Sequence, residues 1–224
     1  MKKQLFIPVL LAVCLLSPTI ASAHERQVFE INGKQYLFVI GSLAEPVVVD
    51  DKTGVDLRIK LADPAKPEDS ASLKATPVTG LEKTLKVEIA AGAKKKTFDL
   101  SPVHGEAGAY KAPFIPTVQT TYAYRVFGTI DATPFDFTFP CAAAGEAKSG
   151  EDRTPKTVSA SVTRTFQAGS FGCPRAKTDL TFPETVPSAL EISKQGAPAS
   201  HTYAGLLLGA LGVGFGLSAR RRNG

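Results

Sequence analysis

Apolar and polar residues alternate along most of the chain between residues 26 and 139. In the segment 55–61 four aliphatic residues alternate with three charged ones, and in 135–139 three phenylalanines alternate with Asp and Thr. Successive side chains of a β-strand point to opposite faces, so this pattern predicts strands with one buried and one solvated face. About eight strands are predicted: Arg26–Ile31, Gln35–Ile40, Val55–Leu61, Thr84–Ala90, Lys95–Leu100, Ala109–Ile115, Thr121–Gly128 and Pro134–Phe139.

Turn-forming residues separate these segments. Asn32 and Gly33 both tolerate positive φ and stand between two predicted strands, which is a hairpin signal. No segment before residue 202 has convincing helical periodicity. The sequence therefore predicts an all-β, antiparallel β-sandwich forming one domain, residues 24–140.

The first 23 residues have the pattern of a signal peptide. Two lysines precede the apolar segment Leu5–Leu16, which is too short to span a bilayer stably. Ala21 and Ala23 form a small-x-small cleavage site, and cleavage after Ala23 would leave His24 as the new N-terminus. A lipoprotein signal with Cys14 as the lipidated residue is the weaker alternative.

A second targeting pattern lies near the C-terminus. Thr202–Ala219 has 18 residues without a charge, enough for a helix of about 27 Å, and Arg220, Arg221 and Arg222 follow. We predict a stalk over 183–201, a transmembrane helix over 202–219 and a cytoplasmic basic tail over 220–224, with the β domain on the extracytoplasmic side of the cell membrane. The alternative is a sorting signal that a peptidase removes.

Four glycines of the predicted span have a spacing that permits close helix contact. They form two small-xxx-small pairs, Gly205 with Gly209 and Gly212 with Gly216. Self-association through this helix is one interpretation, and a span that is merely rich in glycine is the other.

The net charge of +5 resides in the predicted targeting segments. Two of the 26 basic residues precede residue 24 and three follow residue 219, so the segment 24–201 has 21 basic and 21 acidic residues. A neutral body gives no electrostatic support for nucleic-acid binding, and we expect no nucleic-acid partner.

Cys141 and Cys173 are the two cysteines outside the predicted signal peptide. An even pair in an exported protein predicts a disulfide, and its loop of 32 residues would stabilise the fold by roughly 3–4 kcal/mol. We therefore predict a disulfide-pinned extension over 141–182, with two free thiols as the alternative.

Three segments resemble a known family: Gly108–Tyr110, Phe114–Thr117 and Thr121–Val126. They are similar to the later strands of exported bacterial immunoglobulin-like domains of the YtkA-like or CopC-like kind, over residues 45–140. The resemblance implies an immunoglobulin-like sandwich. Copper-carrying members use segments rich in methionine and histidine, but Met1 is the only methionine here, which excludes a thioether site for Cu(I).

His24 and His104 are the candidate metal ligands. After cleavage, the α-amine and imidazole of His24 could chelate Cu(II), and His104, in a glycine-rich loop, could supply a second imidazole. The alternative is a residue next to a cleavage site and an ordinary loop histidine.

No motif places a nucleophile beside a base, so we expect no catalysis and no cofactor. Lys94–Lys96 is interpreted as a charged strand edge that blocks aggregation, or as a contact for anionic surfaces. Tyr122 and Tyr124 are predicted core residues, one of them with its hydroxyl bonded to loop backbone.

The leading hypothesis is a non-catalytic, membrane-anchored interaction module with an unidentified protein or surface partner, and the alternative is a copper-handling accessory protein.

Overall fold

Thirteen β-strands and two short 3₁₀ turns make up the secondary structure of the described residues. The structure, a computed structural model, describes residues 23–143, 146 and 150–182. The strands are β1 His24–Ile31, β2 Lys34–Ser42, β3 Thr53–Leu61, β4 Thr76–Pro77, β5 Lys86–Ala91, β6 Lys94–Asp99, β7 Ser101–Pro102, β8 Ala109–Phe114, β9 Tyr122–Ile130, β10 Thr133–Pro140, β11 Glu151–Asp152, β12 Lys156–Ser159 and β13 Val162–Ala168. The 3₁₀ turns are Leu81–Lys83 and Lys177–Asp179.

The strands form two antiparallel sheets. The larger sheet has the order β11-β13-β1-β2-β3-β8-β7, with β12 paired to β13 and β4 paired to β3. The smaller sheet has the order β10-β9-β5-β6. The prediction of an all-β, antiparallel fold is confirmed.

Aromatic side chains hold the two sheets face to face. Phe29 of β1 stacks on Phe137 of β10, with ring centroids 3.6 Å apart and planes 4° from parallel. Phe38 of β2 meets Phe135 and Phe137 edge-on, at 5.5 Å and 5.2 Å. All four rings are buried. The period-two pattern of 135–139 therefore marks the inner face of β10, as the sequence predicts.

The predicted hairpin at Asn32-Gly33 is present. Both residues have positive φ, 49° and 74°, and β1 and β2 pair from Ile31 opposite Lys34 onwards. The Asn32 side chain also donates a hydrogen bond to Thr133 Oγ1, which links this turn to the start of β10.

The larger sheet continues past residue 140, where the sequence pattern ended the sandwich. β13 pairs with β1 from Arg26 opposite Ala168 to Ile31 opposite Val162, with an irregularity between Val28 and Phe29. Much of the predicted extension 141–182 is thus part of the sheet, because β1 would otherwise have an unpaired edge. The described residues up to Asp179 belong to one compact unit.

Cys141 and Cys173 form a disulfide, as predicted, with Cα atoms 4.9 Å apart. It joins the end of β10 to the segment that follows β13. A parallel bridge between Ala142 and Gly172 lies beside it. The disulfide therefore connects the last strand of the smaller sheet to the chain leaving the larger one.

Both predicted targeting segments lie outside the described residues, apart from Ala23, which is exposed. Among the described residues, no helix is long and apolar enough to cross a membrane. The predictions for Ala21, the stalk 183–201, the span 202–219 and the tail 220–224 stay predictions. The same holds for the glycines and arginines named for them: Gly205, Gly209, Gly212, Gly216, Arg220, Arg221 and Arg222.

Replacing Phe137 by alanine should lower the free energy of unfolding by about 3–5 kcal/mol, because it removes the ring between Phe29 and Phe38 and leaves a cavity. Phe127→Ala is the matched control, since Phe127 is partly exposed beside Arg125 and should cost about 1 kcal/mol. Urea unfolding followed by circular dichroism measures both. Equal small losses would contradict the central role of this stack.

Candidate functional site

The two predicted metal ligands lie in different settings. His24 is in β1 opposite Gly41, and its Nε2 is 3.2 Å from Asp56 Oδ2 on β3. Gly41 lies between them in the sheet, and a Cβ there would come within 2.6 Å of the His24 ring. The missing side chain at Gly41 therefore allows the imidazole to cross over β2 and reach Asp56.

Asp56 is shared between His24 and Arg58. Its Oδ2 is also 3.2 Å from the Arg58 guanidinium, and Arg58 contacts Glu106 at 3.3 Å. Glu106 belongs to the loop between β7 and β8, which also contains the exposed His104. Within the part of the chain that the structure describes, no three His, Cys, Asp or Glu side chains form a group able to hold a metal ion. The pairing of His24 with His104 stays a prediction.

Tyr122 and Tyr124 are core residues, as predicted, but the tyrosine that bonds to loop backbone is a different one. The Tyr124 hydroxyl lies 3.2 Å from Ser42 Oγ, and its ring stacks on Phe171 at 4.7 Å. Tyr110 instead donates to the Val78 carbonyl at 2.8 Å. Burial raises the pKa of Tyr124 to about 12, against a smaller opposing effect of Ser42.

A groove of about 620 Å³ opens on one side of the sandwich, between the edges of the two sheets. The smaller sheet ends there at β6. The larger sheet ends at β7, which pairs only with Lys111 and Tyr110 of β8. The end of β8 therefore has no outer neighbour in the described sheet, and its residues Pro113 and Phe114 line the groove.

The floor of the groove is apolar and largely aromatic. Phe114 of β8 lies 6.5 Å from Phe98 of β6 and 6.1 Å from Tyr122 of β9, measured between ring centroids. Ile89 lines the same floor, and the half-exposed Ile115 lies at its border. Phe98 and Phe114 are only half-buried, so the groove offers aromatic surface to a ligand.

Lysines border this floor. Lys94 and Lys96 lie opposite Ala91 and Ile89 in the β5–β6 register, so they occupy the core-facing side of β6. The Lys96 ammonium is 5.0 Å from the Phe98 ring centroid, a cation–π contact. Lys52, from the turn before β3, completes the rim.

The lysines of the rim differ from Lys95, which lies between two of them in sequence, in whether they form an ion pair. Lys95 is on the opposite face of β6 and contacts Glu88 at 3.1 Å. Lys52, Lys94 and Lys96 have no ion-pair partner among the described residues. We name these three side chains, with the floor beneath them, the lysine groove. It presents uncompensated positive charge above apolar surface.

The sequence predicted Lys94–Lys96 as a charged edge or as a contact for anionic surfaces, without a groove beside it. The signal for the groove was present in the period-two pattern, because Lys94 and Lys96 share a strand face with Phe98 and Leu100. Lys52 and Phe114 carried no such signal, since they join the groove only through the pairing of β3 with β8.

Comparison of the chain with protein-family models, with curated proteins and with solved structures found no match. The resemblance to YtkA-like and CopC-like domains therefore stays a prediction.

Replacing Tyr124 by phenylalanine should reduce the decrease in folding stability that accompanies a rise to alkaline pH. With a folded-state pKa of about 12 and an unfolded one near 10, the protonated hydroxyl favours folding below pH 10, and this contribution is lost between pH 10 and 12. At pH 12 the wild type should have lost about 2 kcal/mol more than the variant. Urea unfolding at pH 8, 10, 11 and 12 measures the difference, and parallel curves would contradict the prediction.

Proposed function

We propose that this protein is a non-catalytic, membrane-anchored interaction module that binds an anionic partner outside the membrane through the lysine groove. The observation that carries the proposal is the uncompensated charge of Lys52, Lys94 and Lys96 above a half-exposed aromatic floor. A partner that combines acidic groups with apolar surface satisfies both parts of this groove.

The strand order supports an immunoglobulin-like body. The segment β2-β3-β8-β7 of the larger sheet corresponds to the A-B-E-D order of such domains, and β10-β9-β5 corresponds to G-F-C. In this comparison β6 is an additional edge strand next to C, and β1 and β13 extend the sheet beyond A. Immunoglobulin-like scaffolds present loops and edges for recognition, which agrees with a groove at a sheet edge.

Export and anchoring are supported by different features. The disulfide between Cys141 and Cys173 fits an oxidising compartment, since such bonds are rare in the cytosol. The apolar segment 202–219 and the arginines after it support a span with the β body on the far side from the cytoplasm. Non-catalytic binding is supported by what the groove presents, namely ammonium groups and aromatic surface.

Neutralising the groove should abolish most of its affinity for anions. The variant Lys52→Gln/Lys94→Gln/Lys96→Gln is expected to bind fluorescent poly-glutamate about tenfold more weakly at low salt, because three unpaired cations are lost. Lys95→Gln is the matched control, since Lys95 also lines the groove but its ammonium already contacts Glu88. Fluorescence anisotropy measures both, and equal affinity of the triple variant and the wild type would refute the proposal.

A copper-handling role is the second candidate, and the contact between His24 and Asp56 favours it. Metal-bound histidines commonly donate their second ring nitrogen to a carboxylate, which fixes the ring orientation. With Nε2 directed at Asp56, Nδ1 is the ring nitrogen on the backbone side that would form the chelate with the α-amine of a chain cleaved after Ala23.

The copper candidate predicts that a glycine added before His24 abolishes Cu(II) binding without changing the β body. Asp56→Asn should weaken binding by about 10- to 100-fold, because the ring loses its orienting carboxylate. Affinity should fall as pH is lowered towards 5, since binding displaces protons. Calorimetric titration of Cu(II) into the three proteins provides the measurement. Equal affinity for the native and glycine-extended forms removes this candidate.

A further inference from the structure

Within the described residues β6 has no neighbour beyond β5, and its outer edge presents a row of backbone groups beside the lysine groove. The Leu100 amide donates to the Leu85 carbonyl at 3.2 Å, which identifies the even-numbered residues of β6 as those bonded towards β5. The N–H and C=O groups of Lys95, Thr97 and Asp99 therefore point away from β5. They are available to a further strand.

The opposite border of the groove offers no comparable row. The Val103 amide donates to the Ala109 carbonyl at 2.9 Å, so the backbone groups of the odd-numbered residues of β8 point towards β7. Past the end of β7 they point towards the groove. The odd-numbered residue of β8 at the groove is Pro113, which has no N–H. An added strand would consequently pair with β6, not with β8.

We propose that the partner of the lysine groove is an acidic, extended segment of another polypeptide, which adds to β6 as a fifth strand of the smaller sheet. This inference rests on the proposed function and specifies how the partner binds. Strand addition obtains affinity from main-chain hydrogen bonds and specificity from alternate side chains. Here the alternate side chains of the partner would lie next to Lys94, Lys96 and Phe98 on the core-facing side.

The charge of β6 determines which strand can be added. An antiparallel second copy centred on Lys95 or Lys96 would bring its own lysines against the same lysines, and like charges on neighbouring strands repel. An acidic strand replaces this repulsion by attraction. The lysines thus oppose self-pairing in these registers and favour an acidic partner.

The register of β6 also predicts a sequence pattern for the added strand. Residues of the added strand that face the groove are two apart, so two acidic residues at alternate positions would lie beside Lys94 and Lys96. The next groove-facing residue would lie beside Phe98, above the floor that Phe114 completes, and should be apolar. The predicted pattern is acidic-x-acidic-x-apolar, in either chain direction.

The full-length protein is tested with two fluorescent peptides of eight residues that alternate threonine and glutamate. Valine is the first groove-facing residue of one, for antiparallel addition to β6, and the last of the other, for parallel addition. Thr97→Pro should weaken binding at least tenfold, because proline removes an edge N–H but no bond to β5. Thr97→Ala, which keeps the N–H, should bind within twofold of the wild type. A peptide with lysine in place of glutamate should not bind.

A second measurement leaves the protein unchanged. Methylating the peptide backbone nitrogens one at a time should reduce affinity at every second position only, since alternate amides of an added strand face β6. Uniform tolerance of methylation, or equal affinity of Thr97→Pro and wild type, overturns strand addition. If the triple glutamine variant still loses binding in that case, the proposed function stands without this inference. Preferential binding to phosphatidylglycerol vesicles, or dimerisation through β6, would also overturn it.

Discussion

The contact between Phe29 and Phe137 determines how the two sheets face one another. These rings come from β1 and β10, which belong to different sheets and are far apart in the chain. With that pair on the inside, every second residue of both strands must also face inwards. A one-residue slip of β10 would bury Asp136 in place of Phe137, so the packing of the stack and the register of the smaller sheet support each other.

The sandwich that results has two open sides, and their strand edges differ chemically. At β10 the Cys141 amide donates to the Tyr122 carbonyl, so the even-numbered residues of β10 face the free edge. Two of them, Pro134 and Pro140, have no N–H to offer. At β6 the edge amides are retained and lysines stand beside them. Proline excludes any added strand, whereas lysine excludes only a basic one. This contrast is the physical reason to assign partner binding to β6.

Sequence reasoning succeeded where one face of a strand is uniformly apolar, as in β3 and β10, and it was weakest at β13. The inner face of β13 carries Arg164 and Gln167, which bond to each other and, through Gln167, to the buried Glu25 at 2.5 Å. A buried polar network gives no apolar alternation. The irregularity opposite Val28 and Phe29 leaves Thr165 outside the register, which also interrupts the period of two in β13. Long-range pairing, not local pattern, therefore fixes this part of the sheet.

The lysine groove shows that the net charge of a segment likewise does not predict its local charge. The segment 24–201 is formally neutral, and from that total no cationic site would be expected. A neutral segment can still have a local excess of charge. Several other cations contact carboxylates, as Lys95 contacts Glu88, while Lys52, Lys94 and Lys96 form no ion pair within the described residues. At physiological salt such a patch acts over about 8 Å. It cannot attract partners from a distance, so selectivity must come from contacts that form in the groove itself, between acidic side chains, the three ammonium groups and the aromatic floor.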